Sequence, residues 1–226
     1  MKTSSRIFKT RTTRPGPENR LLQAALRRGL PIGLDEALIL REPELPTGVP
    51  DLIAIEPRLR LNLVWAKRRQ FQKEHFQVLH FINESGSVTA DNITRLLNQP
   101  FKKTYLVLQD LVDAGLVVQL GHCFVVQMVS KVFVAKRIVA VEAKVRAWRQ
   151  ALEQAVANLW FASHSYILVP ALNCLRSVCE EAKKFGIGVL VFDGKHTRTA
   201  LRSRKQPIPA SYGSWLINEW AIGQLK

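Results

Sequence analysis

The stretch from Lys136 to Val145, KRIVAVEAKV, constrains the fold more than any other part of the chain, because it is apolar for most of its length yet carries Glu142 and Lys144 near its end. In an extended strand successive side chains point to opposite faces, so Glu142 and Lys144 share one face and Ala143 takes the other. A carboxylate and an ammonium on a buried strand are costly without partners. A second β-like run, Asp51 to Ile55 (DLIAI), begins with another carboxylate directly after Pro50. Pairing the two runs would set Asp51 beside Glu142, with two carboxylates facing one point. Mg²⁺ is commonly held by one or two carboxylates plus waters and substrate phosphates, and it polarises a phosphoryl oxygen or generates a hydroxide nucleophile. Lys144 would orient the attacking water or stabilise charge on phosphorus. The competing reading is an exposed ion pair on an edge strand, which would contribute little.

Pro50-Asp51 with Glu142-Ala143-Lys144 resembles the PD-(D/E)XK nuclease superfamily of restriction, repair and junction-resolving enzymes. The surrounding chain is similar to that family too: a helix beginning at Trp148 follows the acidic strand, and Ser165 to Pro170 supplies another strand. The first helix would be Glu18 to Leu30, with Pro17 suited to its start. The resemblance implies an α/β fold, a restriction-endonuclease-like mixed sheet flanked by helices. It implies Asp51 and Glu142 as metal ligands, Lys144 as the catalytic cation, and Mg²⁺ as cofactor with Mn²⁺ as substitute. It further implies an acidic ligand from the first helix, Glu18, with Glu36 as competitor, and a second-helix glutamine at the site or the DNA, Gln154 ahead of Gln150.

The charge balance names the class of partner. Against 18 Asp and Glu stand 33 Lys and Arg, a net +15, and such an excess either meets an anion or repels itself. Nucleic acid is the natural anion, and DNA is expected; RNA carries the same charge. The basic residues group at Lys2 to Arg14, Arg58 to Lys73, Arg146 and Arg149, and Arg198 to Lys205, although any one cluster could be solvated surface. No long apolar run suits a membrane span, and the basic N-terminal stretch lacks the apolar segment of a secretory signal, so a cytoplasmic protein is expected. Cys123, Cys174 and Cys179 form neither a disulfide framework nor a zinc spacing.

Residues 52–141 are too many for a simple connection between neighbouring strands, so a domain is expected within them. Helical spacing runs through Phe71, Val78, Leu79 and Ile82; Thr89 can cap a helix from Ala90 to Asn98; and Lys102 to Ala114 ends at Gly115. Leu116 to Leu120 and Phe124 to Gln127 then read as two strands around Gly121-His122. Three helices and a hairpin resemble a winged helix-turn-helix over residues 68–130, inserted in a nuclease core formed by residues 1–67 and 131–226. That resemblance implies a third helix in the major groove, presenting Lys102, Lys103, Thr104 and Gln109; the charge clusters add Arg146 and Arg149 as DNA contacts beside the acidic motif. Many winged helices instead contact proteins, and a DNA-binding regulator on a nuclease-like fold stands as the alternative function.

Other chemistries find no support. There is no P-loop, Gly186-Ile-Gly188 reads as a turn before a buried strand, and Ser163-His164-Ser165 lacks the context of a nucleophile. His75 and His80 are badly spaced for a metal on a helix, and the apolar pairs Leu216/Trp220 and Ile217/Ala221 predict a C-terminal helix covering the sheet or a partner chain. A homodimer or paired complex is expected, since cutting both strands needs two sites.

Overall fold

A computed structural model describes residues 7–9, 15–33, 37–58, 70–171 and 174–225. Glu36, residues 59–69 of the second basic cluster and the side chains of the Lys2 to Arg14 arm lie outside the described residues. The chain divides into two compact units, residues 1–57 with 135–209, and residues 58–134 with 210–226.

The first unit is α/β. Its strands are β1 (Ile7–Lys9), β2 (Leu38–Arg41), β3 (Leu52–Pro57), β7 (Ala135–Ala143), β8 (His164–Pro170), β9 (Gly188–Phe192) and β10 (Thr197–Leu201). They form one mixed sheet in the order β1-β2-β3-β7-β8-β9-β10. β7, β8 and β9 run parallel, while β3 is antiparallel to both β2 and β7. The period of two decides the layers. Leu52, Ala54, Val139, Val141, Ala143 and Leu168 face α1 (Pro17–Arg28), which buries Leu21, Leu22 and Ala25 against them. Ile167, Val169, Val189 and Val191 face the opposite layer, α6 (Trp148–Ala157) and α7 (Leu175–Phe185). Each fully buried Leu or Ile side chain contributes about 1.5–3 kcal/mol relative to exposure.

Helix α1 starts at Pro17, where the missing N–H costs nothing, and carries Glu18 in its first turn, favourable to the helix dipole. Gly186 closes α7 in the left-handed conformation at φ 74°, as a turn before a buried strand demands. Gly188 has a different reason: a Cβ there would lie 2.2 Å from the Tyr166 ring. Ser163 is structural, accepting from the Ile138 N–H at 3.1 Å and donating to the Ile138 carbonyl at 2.9 Å.

The second unit holds α2 (Lys73–Ser85), β4 (Val88–Thr89), α3 (Ala90–Leu96), α4 (Phe101–Asp113), β5 (Val117–Leu120), β6 (Cys123–Val126), the short α5 (Val129–Val132) and α8 (Tyr212–Leu225). A three-stranded sheet runs β4-β6-β5. Thr89 caps α3 by accepting the Asn92 N–H at 3.3 Å, and Gly115 takes φ 69° after α4. The second compact unit gathers residues 58–134 with 210–226, so the C-terminal helix, expected to cover the sheet or a partner chain, groups with the helices of this unit. Aromatic packing and buried polar bonds decide this: Trp215 meets Phe133 at 4.6 Å, Tyr212 meets Phe76 at 5.9 Å, Glu219 accepts the Phe71 N–H at 3.0 Å, and Asn218 accepts the Val134 N–H at 2.8 Å. The excursion between β3 and β7 leaves and returns at adjacent points, because Pro57 pairs with Ala135. No helix of the described residues is long and apolar enough to cross a membrane.

Candidate active site

The antiparallel ladder of β3 and β7 pairs Leu52 with Val141, so the next step of the register sets Asp51 opposite Glu142. Asp51 stands in the bend before β3 and accepts the Ala143 N–H through Oδ2 at 2.7 Å. Glu142 is 3% exposed, and its Oε1 accepts from the Asn158 side-chain amide at 2.7 Å. β7 lies between β3 and β8 in the interior of the sheet, which rules out an exposed edge-strand ion pair. Lys144 follows the last residue of β7, half-buried, its N–H bonded to the Leu168 carbonyl of β8 at 3.0 Å.

Burial raises the Glu142 carboxyl from 4.5 to about 8, and the charge of Asp51 adds to the rise. The Asn158 amide, the Lys144 charge and a backbone bond from Asp51 oppose it. Burial also raises Asp51, against the Ala143 N–H and Lys144, with further upward pushes from Glu42 and Glu18. Glu142 is therefore protonated in large part at neutral pH unless a cation sits beside it.

Three residues that the sequence reading passed over belong to this end of the sheet. Asn158, in the 3₁₀ turn that ends α6, is 6% exposed and fixes the Glu142 carboxylate. Arg41, at the end of β2, is 5% exposed; it donates through Nη2 to the Asn19 Oδ1 at 2.8 Å, and its charge acts on Asp51. Glu42 is 8% exposed and left-handed at φ 47°, and its N–H bonds the Asp51 carbonyl at 3.2 Å. A non-glycine residue in that region is strained, and such strain gathers at functional sites. The signal available in the sequence was an Arg-Glu pair closing an apolar run, Leu38 to Glu42, ahead of Pro43.

Glu18 is half-buried in α1, and its charge reaches Asp51. Gln154 is exposed, as is Gln150; the polar group that α6 directs at the site comes one turn later, at Asn158. Arg146 and Arg149 are exposed just beyond Lys144, with the Arg149 guanidinium 4.5 Å from the Trp148 ring centroid. On α4, Lys102 and Gln109 are exposed, whereas Thr104 is fully buried and cannot reach a groove. Thr104 stands three and four residues before Val107 and Leu108 on the buried stripe of that helix, while Lys103 is tied to Glu74 at 2.9 Å. The exposed side of α4 also presents Phe101, Tyr105 and Leu106, each about half exposed.

No group of three or more His, Cys, Asp or Glu side chains among the described residues is arranged to hold a metal ion. The donor set is nevertheless that of a hard divalent cation, two carboxylates whose repulsion and burial a cation would offset. No family model matches the chain, and neither the curated proteins nor the solved structures supply a match.

Proposed function

We propose that the chain is a metal-dependent DNA endonuclease that hydrolyses phosphodiester bonds on a restriction-endonuclease-like core. The observation that carries this reading is the β3/β7 register, which sets the half-buried carboxylate of Asp51 beside the buried one of Glu142, with Lys144 two residues further on. Asp51 and Glu142 would hold Mg²⁺, or Mn²⁺ in its place, with Glu18 as an auxiliary acid. The metal would supply Lewis acidity toward the scissile phosphate and a nucleophile at neutral pH. Ala143 N–H and the Asn158 amide orient the two carboxylates, so their oxygens are positioned before substrate arrives. Lys144 donates to the attacking water or to a phosphate oxygen, and its charge favours the ionised form of both acids. Arg146 and Arg149, exposed beside the site, would track the backbone of the DNA.

In this reading the second unit is a winged helix-turn-helix that positions DNA, and Lys102 and Gln109 are the residues of α4 free to touch it. Two copies, as a homodimer or paired complex, would cut both strands in the cytoplasm. A second reading, a DNA-binding regulator that no longer cuts, is favoured by the lack of a three-ligand metal group among the described residues. Incubation with supercoiled, linear, branched and single-stranded DNA, with Mg²⁺, Mn²⁺ or chelator, separates the two. The endonuclease reading expects metal-dependent cutting that Asp51→Ala and Glu142→Ala abolish. DNA binding without cutting under every metal, unchanged in both variants, refutes it.

A further inference from the structure

The first unit contains a cavity of about 820 Å³ on the side of the sheet that carries α1. Pro31 and Ile32, after α1, form one wall; Thr197 to Ala200 with Arg202 form the other; Arg137 and Tyr166 rise from the sheet between them. Arg137 begins five residues before Glu142 on β7, roughly 17 Å away at the strand rise of about 3.3 Å per residue. This space is therefore separate from the paired carboxylates.

Its chemistry is one-sided. Three arginines border it and no carboxylate does, but Arg198 pairs with Val191 across the β9/β10 ladder and so turns to the α7 face, where its charge acts on Cys179, leaving Arg137 and Arg202 to face the space. The acid that pairs with Arg137, Glu56, is shared: Arg137 Nε lies 2.9 Å from one of its oxygens and Lys136 Nζ 2.8 Å from the other. Arg137 is further held by the Gly33 carbonyl, so its guanidinium is fixed before any ligand arrives. Arg202 is exposed and has no acidic partner among the described residues. The positive field extends to His164, which burial first, and then Arg137 and Lys205, keep below its usual range. Thr199 ties the two walls, its hydroxyl donating to the Pro31 carbonyl at 3.2 Å.

Guanidinium groups match phosphate oxygens in pairs, and an exposed arginine without a counter-ion, Arg202, across from the pre-held Arg137 leaves phosphate as the fitting ligand group. The volume is that of a small-molecule site rather than of a single ion. Ile32, Tyr166 and Ala200 add an apolar wall on which a flat base could rest.

We propose that this pocket binds a nucleoside phosphate, either a free nucleotide or one unit of a nucleic-acid strand, with Arg202 and Arg137 holding the phosphate. The proposal does not require that the paired carboxylates cut anything. The test is calorimetric titration of the full chain in chelator with ADP and, separately, with a short single-stranded oligonucleotide. Arg137→Gln and Arg202→Gln are compared with Lys184→Gln, an exposed lysine on α7, and circular dichroism checks that each variant is folded. Each arginine variant is expected to weaken binding about tenfold or more, the loss of a charge-assisted hydrogen bond, with the lysine variant within about twofold of wild type. Binding of both probes with that pattern assigns the pocket to free nucleotides, and binding of the oligonucleotide alone with that pattern assigns it to a strand. Binding of neither probe, or arginine variants no weaker than the lysine control, overturns the proposal.

Discussion

Replacing Glu142 by Gln tests the electrostatics of the candidate site without touching its shape. The amide is isosteric with a protonated carboxyl and keeps an acceptor for the Asn158 side chain. In the folded state the Glu142 carboxyl titrates near 8, against 4.5 for the free group, so the unfolded chain gives up this proton far earlier as pH rises. Between these values the folded state holds more protons than the unfolded one, and stability falls with rising pH. The loss is small near pH 5 and close to complete near pH 8. Over that window the linkage amounts to on the order of 3 kcal/mol, at about 1.4 kcal/mol per pK unit. Glu142→Gln removes the penalty, so in chelator the variant should match wild type near pH 5 and exceed it near pH 8. At about 2–4 °C per kcal/mol, the gain in the unfolding temperature of the first unit is roughly 6–12 °C. Scanning calorimetry across that pH range provides the reading. Added Mg²⁺ near pH 8 should raise the wild-type transition and leave the variant unmoved, because only the ionised pair attracts the cation. A variant less stable than wild type at both pH values would refute the argument, since Glu142 would then be an ionised, well-paired group.

Lys144→Ala should reduce DNA cutting about 100-fold or more while sparing DNA binding, measured by plasmid relaxation and fluorescence anisotropy; equal loss of both would move Lys144 from the chemistry to the binding surface. Asn158→Leu should cost about 1–3 kcal/mol of stability in urea unfolding, because it leaves a buried carboxyl without its amide donor, and it should push the Glu142 titration higher still. Gly188→Ala should destabilise the first unit by about 1–3 kcal/mol, as the added methyl meets the Tyr166 ring; Tyr166→Ala in the same chain should recover part of that loss, and no recovery would place the strain elsewhere.

Local pattern carried the sequence reading a long way. The alternation of Val139, Val141 and Ala143 against Ile138, Ala140 and Glu142 was readable as a strand, and the capping Thr89 and terminal Gly115 were readable as helix ends. Both depend on neighbours within a few residues. Other features depend on residues far apart in sequence. The α/β class, the pairing of Asp51 with Glu142 and the presence of a second unit between them followed from the chain alone. The tertiary structure decided that β7 is an interior strand, that Asn158 and not Gln154 reaches the carboxylate, that Thr104 is buried, and that the C-terminal helix packs with Phe76 and Phe133. It also brought Glu42 to Asp51 in a left-handed turn. The physical reason is common to all of these: periodicity tells which side of an element is apolar, but which partner covers that side, and how far a side chain then stands from a charge, is set only when the layers close on one another.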